Sequence, residues 1–310
     1  MRWSEVRVKS ILTRTAGYLR SVCSHSAQPY RGCSLGSSLC GVGCYVRHNR
    51  WLTRGAPWGS FLEARVNAAE RYAATAAAER RWARRTRGSF DVFMSSSTDP
   101  FVPQEQRAGV TRSLLEAMLA DPPDGLVLQT HSPTVTRYVE TYRELARRCR
   151  LRIHVSVETD RQRLPGLPPP ASSAAARLDA AASLSAAGLD VAIAVAPLLP
   201  ILEPEAFFAR IGAVAGSVII DHFIGGDGSP TGARTSSTAL PAAMARVAPD
   251  SVSLAYRDRM VAVAQTRVRR VGVGADGFAG RWLSWSEPCR SPDSRTAGKR
   301  CQAPAEEGRK

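Results

Sequence analysis

The chain has 310 residues, 44% of them hydrophobic, which supports one large α/β domain or two smaller ones and excludes global disorder. Its 42 Lys and Arg against 27 Asp and Glu give a formal net charge of +15. Residues 1–90 hold sixteen of the basic residues and four of the acidic ones, so most of the charge lies in the first third. A basic surface attracts polyanions, and nucleic acid is therefore a candidate partner.

The elements follow a simple order along the chain. Residues 1–22 are predicted as an N-terminal arm or first strand, and residues 57–87 as one long helix. Strands are then predicted at 90–95, 125–130, 151–157, 190–196, 217–223 and 269–273, and helices at 103–120, 136–148, 172–187, 204–214 and 252–265. This alternation of strand and helix predicts a parallel sheet built from right-handed crossovers. The pattern alone leaves open a full barrel, a partial barrel and a doubly wound sheet.

The sequence shows neither a signal-peptide pattern nor a segment suited to span a membrane. The N-terminus lacks the apolar run of a signal peptide, and the most apolar stretch, residues 189–202, is broken by Asp190, Pro197 and Pro200. We therefore expect no membrane span and a cytoplasmic location. Residues 284–310 are polar and are predicted as a disordered tail, which leaves residues 23–283 as the main domain.

Three of the seven cysteines lie within one short segment: Cys33, Cys40 and Cys44. The odd count and the crowding do not resemble a disulfide framework. Four glycines lie in the same segment: Gly32, Gly36, Gly41 and Gly43. We expect them to take positive φ angles, so that an irregular loop can wrap three thiolates around one metal centre.

Thiolates select zinc, copper(I) or iron–sulfur clusters. His25 and His48 are candidates for a fourth ligand, but neither lies at a usual zinc-finger interval. The other way to use three cysteines is a cluster that keeps one iron free of protein ligands. These residues alone leave both kinds of site open.

A cysteine triplet ahead of repeated βα units is the arrangement of the radical S-adenosylmethionine (radical SAM) enzymes, and the chain resembles their spore photoproduct lyase branch. The matching segments, in order over residues 28–230, are Pro29-Tyr30-Arg31-Gly32-Cys33, Cys44-Tyr45, Ser97-Thr98-Asp99-Pro100-Phe101, Gln129-Thr130-His131-Ser132, Ser156-Val157-Glu158-Thr159, Pro168 to Pro170 with Arg177-Leu178, and Val195-Ala196-Pro197-Leu198-Leu199-Pro200. The cysteines depart from the usual Cys-x3-Cys-x2-Cys spacing, since here they are spaced Cys-x6-Cys-x3-Cys.

The resemblance implies a partial TIM barrel of the radical SAM type and a 4Fe–4S cluster held by the three cysteines. It implies that S-adenosylmethionine (SAM) binds the open iron and is cleaved reductively to a 5′-deoxyadenosyl radical, in a lyase or oxidoreductase type of reaction. It also implies an electron donor of the flavodoxin or ferredoxin type. By position, six residues would contact SAM: Tyr45, Asp99, His131, Ser156, Glu158 and Arg177. No catalytic residue is assigned.

One difference from that branch concerns the substrate. Spore photoproduct lyase returns a hydrogen atom from a cysteine before its Asp-Pro, whereas the corresponding segment here is Met94-Ser95-Ser96-Ser97. A serine O–H bond is too strong for that role, so we expect a different substrate. Two alternatives remain beside the enzyme: a zinc-stabilised, basic nucleic-acid-binding protein without catalysis, and a degenerate barrel that acts as a scaffold. The sequence does not indicate the oligomeric state.

Overall fold

The computed structural model describes residues 1–284. The disordered tail predicted for residues 284–310 lies outside the described residues except for its first residue. Within the described range the strands are β1 (Arg2–Val6), β2 (Leu12–Arg14), β3 (His25–Ala27), β4 (Tyr30–Gly32), β5 (Phe61–Arg65), β6 (Asp91–Met94), β7 (Gly125–Thr130), β8 (Arg150–Ser156), β9 (Val191–Val195), β10 (Ser217–Ile220) and β11 (Arg270–Val273).

The α-helices are α1 (Leu39–Gly43), α2 (Arg50–Thr53), α3 (Ala68–Arg87), α4 (Glu105–Ala108), α5 (Val110–Ala120), α6 (Val139–Ala146), α7 (Ala174–Ala186), α8 (Pro204–Val214), α9 (Phe223–Gly226), α10 (Ala233–Ser236), α11 (Leu240–Val247), α12 (Leu254–Arg267) and α13 (Gly274–Phe278). Short 3-10 helices lie at Gly17–Ser21, Tyr45–His48, Pro133–Tyr138 and Pro249–Val252. Across residues 1–284 we find no helix with the length and apolar character that a membrane crossing requires.

The larger sheet has eight strands in the order β11-β10-β9-β8-β7-β6-β3-β2. Neighbouring strands are parallel except for the antiparallel pair β2 and β3. Helices connect the successive strands from β6 to β11, as the alternation in the sequence predicts. The α/β prediction is confirmed. The two edge strands, β2 and β11, do not pair with each other in the described part of the chain, so the barrel is partial.

Both faces of the parallel strands are buried, which explains their continuous apolar sequences. All five residues of β9 are buried. One face of the sheet packs against the helices in the main core, and the other encloses the barrel interior. Phe93, Ile219 and Phe278 fill that interior together with small side chains such as Ala192 and Ala194. The barrel is therefore a packed core whose chemistry is left to its ends.

Side chains bridge the open seam between β2 and β11. Tyr18, on the 3-10 helix Gly17–Ser21, has its ring centroid 6.2 Å from that of Phe278 on α13. Its hydroxyl donates to Asp221 Oδ2 at 2.8 Å, and the Arg281 guanidinium donates to the Ser21 carbonyl at 3.2 Å. Residues 1–22, predicted as an arm, thus supply two strands and this bridge. The domain boundary after residue 22 stays a prediction.

The Trp282 ring, which lies between Arg152 and Arg270, closes the amino ends of the strands. The guanidinium carbons of Arg152 and Arg270 lie 5.2 and 5.4 Å from the Trp282 ring centroid. Asp190 pairs with both arginines, at 3.0 and 2.8 Å. This closure leaves the carboxyl ends of the strands as the open side of the barrel.

The long helix predicted over residues 57–87 is wrong. Residues Phe61–Arg65 form β5, which pairs with β1 in parallel and with β4 antiparallel, and α3 begins only at Ala68. The apolar spacing near Trp58 fits a helix and a buried strand equally well, and the pairing decides between them. Glu63 on β5 pairs with the buried guanidinium of Arg31 on β4, which fixes the strand that leads directly into the first cysteine.

Candidate metal and cofactor site

The cysteine segment is more regular than predicted. Cys33 follows β4 directly, Cys40 lies on the one-turn helix α1, and Cys44 follows that helix. A separation of four residues around one turn brings Cys40 and Cys44 to the same side. Cys33 is 7% exposed, and the other two are half-buried. The expected irregular loop is therefore partly helical.

The glycines of this segment serve mainly for close backbone approach. Gly32 alone of the four has a positive φ, 84°. A Cβ added to Gly41 would lie 2.0 Å from the carbonyl oxygen of Gly36, and one added to Gly36 would lie 2.4 Å from the Gly59 Cα. The prediction of positive φ is wrong for Gly36, Gly41 and Gly43. At Gly36 and Gly41 contact with backbone atoms, and not the backbone angle, excludes a side chain.

The three sulfurs influence one another electrostatically. Burial raises the pKa of Cys33 well above its usual value, and negative charge on Cys40 and Cys44 raises it further. Burial and the charge of Cys40 likewise raise the pKa of Cys44 to about 12. Neighbouring thiols that oppose each other's ionisation are stabilised as thiolates by a cationic centre, because a metal offsets both the burial and the repulsion. The donor set therefore fits a thiolate-bound metal group.

No three His, Cys, Asp or Glu side chains among residues 1–284 converge closely enough to hold a single metal ion. In a 4Fe–4S cluster, three cysteines bind three different irons, so their sulfurs surround a larger body. Of the histidines proposed as a fourth ligand, His25 is fully buried and pairs with Glu79 at 2.9 Å. His48 lies with its Nε2 3.4 Å from the Ser237 hydroxyl. The zinc alternative stays a prediction.

A network of charged side chains lies beside the thiols. Arg177 Nη1 donates to Glu158 Oε2 at 2.8 Å, and Glu158 Oε1 lies 2.8 Å from His131 Nε2. His131 Nδ1 is 3.7 Å from Asp99 Oδ2. His131 also carries the electrostatic influence of Cys40, so the network reaches the cysteines. Four of the predicted cofactor contacts thus lie in one continuous chain.

The network fixes the charge of its members. Burial alone would raise the pKa of Glu158, but the Arg177 and His131 cations outweigh it and hold the pKa far below its usual range. Burial alone would lower the pKa of His131, yet negative charge on Cys40 and Glu158 raises it well above its usual value. Glu158 is therefore a carboxylate near neutral pH, and the carboxylates of Glu158 and Asp99 favour the protonated form of His131.

The six predicted contacts differ in how they could reach a ligand. Asp99 accepts from the Thr130 hydroxyl and from the backbone N–H groups of Phe101 and His131, so its known contacts shape the strand ends. Ser156 is fully buried, and its hydroxyl accepts from Gln129.

Arg177 is 3% exposed. His131 and Tyr45 remain partly exposed, and the Tyr45 hydroxyl donates to the Ser96 carbonyl at 2.5 Å. His131 and Tyr45 are thus the most accessible of the six, and the role of each stays a prediction.

The sequence left Asp221 and His222 without a role and did not point to Tyr18. Asp221 follows β10 at the open end of the barrel and accepts the Tyr18 hydrogen bond, and its burial raises its pKa to about 6. A Cβ on Gly226 would lie 2.4 Å from its Oδ2. His222 is fully buried and bonds the Ser251 carbonyl at 3.0 Å. No local pattern joins Tyr18 to a carboxylate two hundred residues away.

Five of the sixteen basic residues in the first 90 positions are in salt bridges within the described chain. The pairs are Arg7–Glu70, Arg14–Glu79, Arg31–Glu63, Arg80–Asp121 and Arg84–Asp124. Of these acids only Asp121 and Asp124 come from outside the first third, so they offset a small part of its charge excess. Nucleic-acid binding by this region stays a prediction.

No family model and no curated protein matches this chain. Among solved structures, a tyrosine-to-phenylalanine variant of spore photoproduct lyase matches at 14% identity and a TM-score of 0.57, covering 87% of this chain and 81% of that one. A cysteine-to-alanine variant of the lyase matches at 14% identity and a TM-score of 0.54, covering 88% and 81%. The chain has the fold of spore photoproduct lyase.

The chain spans only 60% of a further lyase structure, which contains AdoMet and dinucleoside spore photoproduct and covers 71% of this chain at 16% identity and a TM-score of 0.48. At 14% identity, the likeness to the two variants with TM-scores of 0.57 and 0.54 shows the fold alone. It confirms the expected partial barrel of the radical SAM type. The cluster, the SAM contacts and the substrate are not addressed by it.

Proposed function

We propose that this chain is a radical SAM enzyme in which Cys33, Cys40 and Cys44 hold a 4Fe–4S cluster and SAM is cleaved reductively. The observation that supports it is the position of the three thiols. They lie at the carboxyl end of the barrel, negative charge on Cys40 raises the pKa of both Cys33 and Cys44, and the thiols adjoin the network that runs from His131 through Glu158 to Arg177.

Held by Cys33, Cys40 and Cys44, the cluster would supply the electron for the reductive cleavage of SAM. The protein's part is to bind, orient and exclude water. Glu158, kept ionised by Arg177, is an acceptor for hydroxyl or ammonium donors of a nucleoside ligand. His131 places a positive charge beside the thiolates, and Asp99 holds the backbone N–H of His131 at 2.7 Å.

The segment that follows β6 supports a substrate other than spore photoproduct. Ser95 has a φ of 77°, and the Ser96 carbonyl accepts from Tyr45, so this loop is fixed against the cysteine segment. It carries serines where a hydrogen-returning thiol would be needed.

We include in the proposal an electron donor of the flavodoxin or ferredoxin type and a reducing cytoplasmic compartment, in which thiol ligands persist.

The test is the metal content and turnover of the full chain. Protein reconstituted without oxygen should hold about four irons per chain, since that is the content of one such cluster. With dithionite and SAM it should release 5′-deoxyadenosine, detected by mass spectrometry. Stoichiometric zinc without iron in anaerobically purified protein, or iron-loaded protein that leaves SAM intact, would overturn the proposal.

A further inference from the structure

A basic surface with one exposed tryptophan follows the cysteine segment. We call it the Trp51 patch, and it consists of Arg47, Arg50, Trp51 and Arg54. Trp51 is 90% exposed, and the three arginines are exposed as well. An indole in this position has its whole apolar surface in water, which is unusual for a side chain of its size.

The patch is held rigidly. The Asn49 side chain caps α2 by accepting from the backbone N–H groups of Trp51 and Leu52, at 3.0 and 3.3 Å. The Leu52 carbonyl accepts from the buried Arg31 guanidinium at 2.7 Å, and Arg31 is itself paired with Glu63. The tryptophan is therefore presented on a fixed turn.

The charge of the patch is uncompensated. The sequence contains no Asp or Glu between Cys44 and Glu63. Among the salt bridges of residues 1–284, none includes Arg47, Arg50 or Arg54, in contrast to Arg80 and Arg84 on α3. Arg47 makes one side-chain hydrogen bond, to the Val42 carbonyl at 2.9 Å. A partner for this surface is therefore expected to be acidic.

The patch also lies next to the proposed cluster. The backbone N–H of Arg47 donates to the Cys44 carbonyl at 3.2 Å, so the patch begins within one turn of the third sulfur. His131 and Glu158 lie on the barrel side of the same sulfurs, where the nucleoside ligand is proposed to bind. The patch offers a second approach to the centre, from the protein surface.

We propose that the Trp51 patch docks an acidic one-electron donor protein of the flavodoxin or ferredoxin type. This inference rests on the proposed function. The reduced donor loses one electron, the cluster gains that electron, and no bond forms or breaks. Tryptophan and arginine are the residues that most often contribute strongly at the centre of a protein interface.

A single-stranded nucleic acid is the competing occupant, because it too combines negative charge with stacking groups. Such strands bind grooves in which several aromatic side chains follow one another. Here Trp51 is 90% exposed against 37% for Tyr45, and Trp58 packs edge-on against Phe61. A compact cluster with a single central ring favours a protein partner.

The test measures the affinity of the full chain for a purified, strongly acidic bacterial flavodoxin and for an acidic ferredoxin, by titration calorimetry at low and moderate salt. Arg50→Glu and Trp51→Ala should each weaken the donor that binds by about tenfold. Arg85→Glu on α3 is the matched control, because Arg85 is also exposed and lies outside the patch, and it should change the affinity less than about twofold. SAM cleavage driven by dithionite should be equal in all four proteins.

Failure of the wild-type chain to bind either donor would overturn the docking proposal, as would equal affinities for wild type, Arg50→Glu and Trp51→Ala. The same holds if these two variants lose binding of a fluorescent single-stranded oligonucleotide while their donor affinity is unchanged. If donor binding depends on the patch but dithionite drives no SAM cleavage in any protein, the proposed function fails and the docking surface stands.

Discussion

Arg177 Nη1 donates to Glu158 Oε2 at 2.8 Å and to the Ser156 carbonyl at 2.5 Å, so one guanidinium from α7 ties together the end of β8 and the carboxylate that follows it. Arg177 is 3% exposed and Glu158 is 7% exposed. A buried pair of this kind contributes little over an apolar pair, but the loss of one partner leaves a buried charge uncompensated.

Arg177→Met should therefore lower the free energy of unfolding by about 3–5 kcal/mol. Chemical denaturation of the metal-free chain measures it. The double variant Arg177→Met with Glu158→Gln should lose less than the single one, because no lone carboxylate remains. A loss below about 1 kcal/mol in the single variant would mean that His131 alone compensates Glu158.

Removal of one proposed ligand should empty the metal site. Cys33→Ala should reduce the iron bound after anaerobic reconstitution to a small fraction of the wild-type content, because two thiolates hold a cluster poorly. The control is Cys149→Ala, since Cys149 is a free, partly buried thiol that packs against the main core. Equal iron in the two variants would remove Cys33 from the ligand set.

A methyl group on Gly41 should disturb the ligands without unfolding the barrel. Its Cβ would lie 2.0 Å from the Gly36 carbonyl oxygen, so the backbone between the first two cysteines must move. We expect Gly41→Ala to bind several-fold less iron while its far-ultraviolet circular dichroism stays unchanged.

Gly216→Ala is the comparison, because a Cβ there meets nothing closer than 3.7 Å and Gly216 has no positive φ. It should load iron like the wild type. Normal loading of Gly41→Ala would show that the segment tolerates the shift.

Asp221 should make the folded chain less stable as the pH rises. Burial raises its pKa from 3.8 to about 6. The stabilisation that protonated Asp221 gives the folded state is therefore complete below pH 3.8 and is lost as the pH rises through 6. Asp221→Asn removes this loss and keeps an acceptor for Tyr18. Between pH 4 and pH 7 the stability of the variant should gain on wild type by roughly 2.4 kcal/mol, measured by denaturation at both pH values. A constant difference would refute the raised pKa.

His154 should make the folded chain less stable as the pH falls from 7 to 4, opposite to the effect of Asp221. It is fully buried against Phe93 and Phe278, and neither ring nitrogen has a hydrogen-bond partner among the described residues. Burial and the Arg152 charge lower its pKa to about 3. The stabilisation that neutral His154 gives the folded state is therefore lost as the pH falls from 6.5 towards 3.

His154→Leu should remove that loss and gain roughly 3 kcal/mol on wild type at pH 4 relative to pH 7. The variant should be at least as stable as wild type at pH 7, because no polar atom is then left unpaired. Since Asp221 and His154 oppose each other, the wild-type pH profile can be flat, and only the single variants separate them. A His154→Leu protein that is less stable at both pH values would instead point to a partner for the imidazole.

The sequence predicts the bounds of a strand or helix well where the apolar pattern lies within that element. The strand Gly125–Thr130 and the helix Pro204–Val214 have the predicted bounds, because their apolar periodicity and flanking turn residues are local. The strand Phe61–Arg65 was missed because its partners, β1 and β4, lie far away in sequence and only their pairing excludes a helix.

In the candidate site too, features with a local sequence pattern could be predicted and long-range contacts could not. The three cysteines are close in sequence, so their proximity could be predicted, and the strand-end residues His131 and Glu158 meet because parallel strands end on one side. The Tyr18–Asp221 contact depends on closure of the seam and left no trace in either local sequence. Gly41 and Gly36 were predicted for the wrong reason, since a collision between two backbones is visible only once both are placed.

The seam bears on the order of assembly. Tyr18 and Ser21 must wait for Asp221, Phe278 and Arg281, more than two hundred residues downstream, before the barrel wall is complete. During synthesis residues 33–44 leave the ribosome long before Asp221, Phe278 and Arg281, so a newborn chain exposes its cysteines while the barrel wall is still incomplete. Contacts of such long range form slowly. As ligands of the proposed cluster, these thiols would meet both iron delivery and oxidation during that interval.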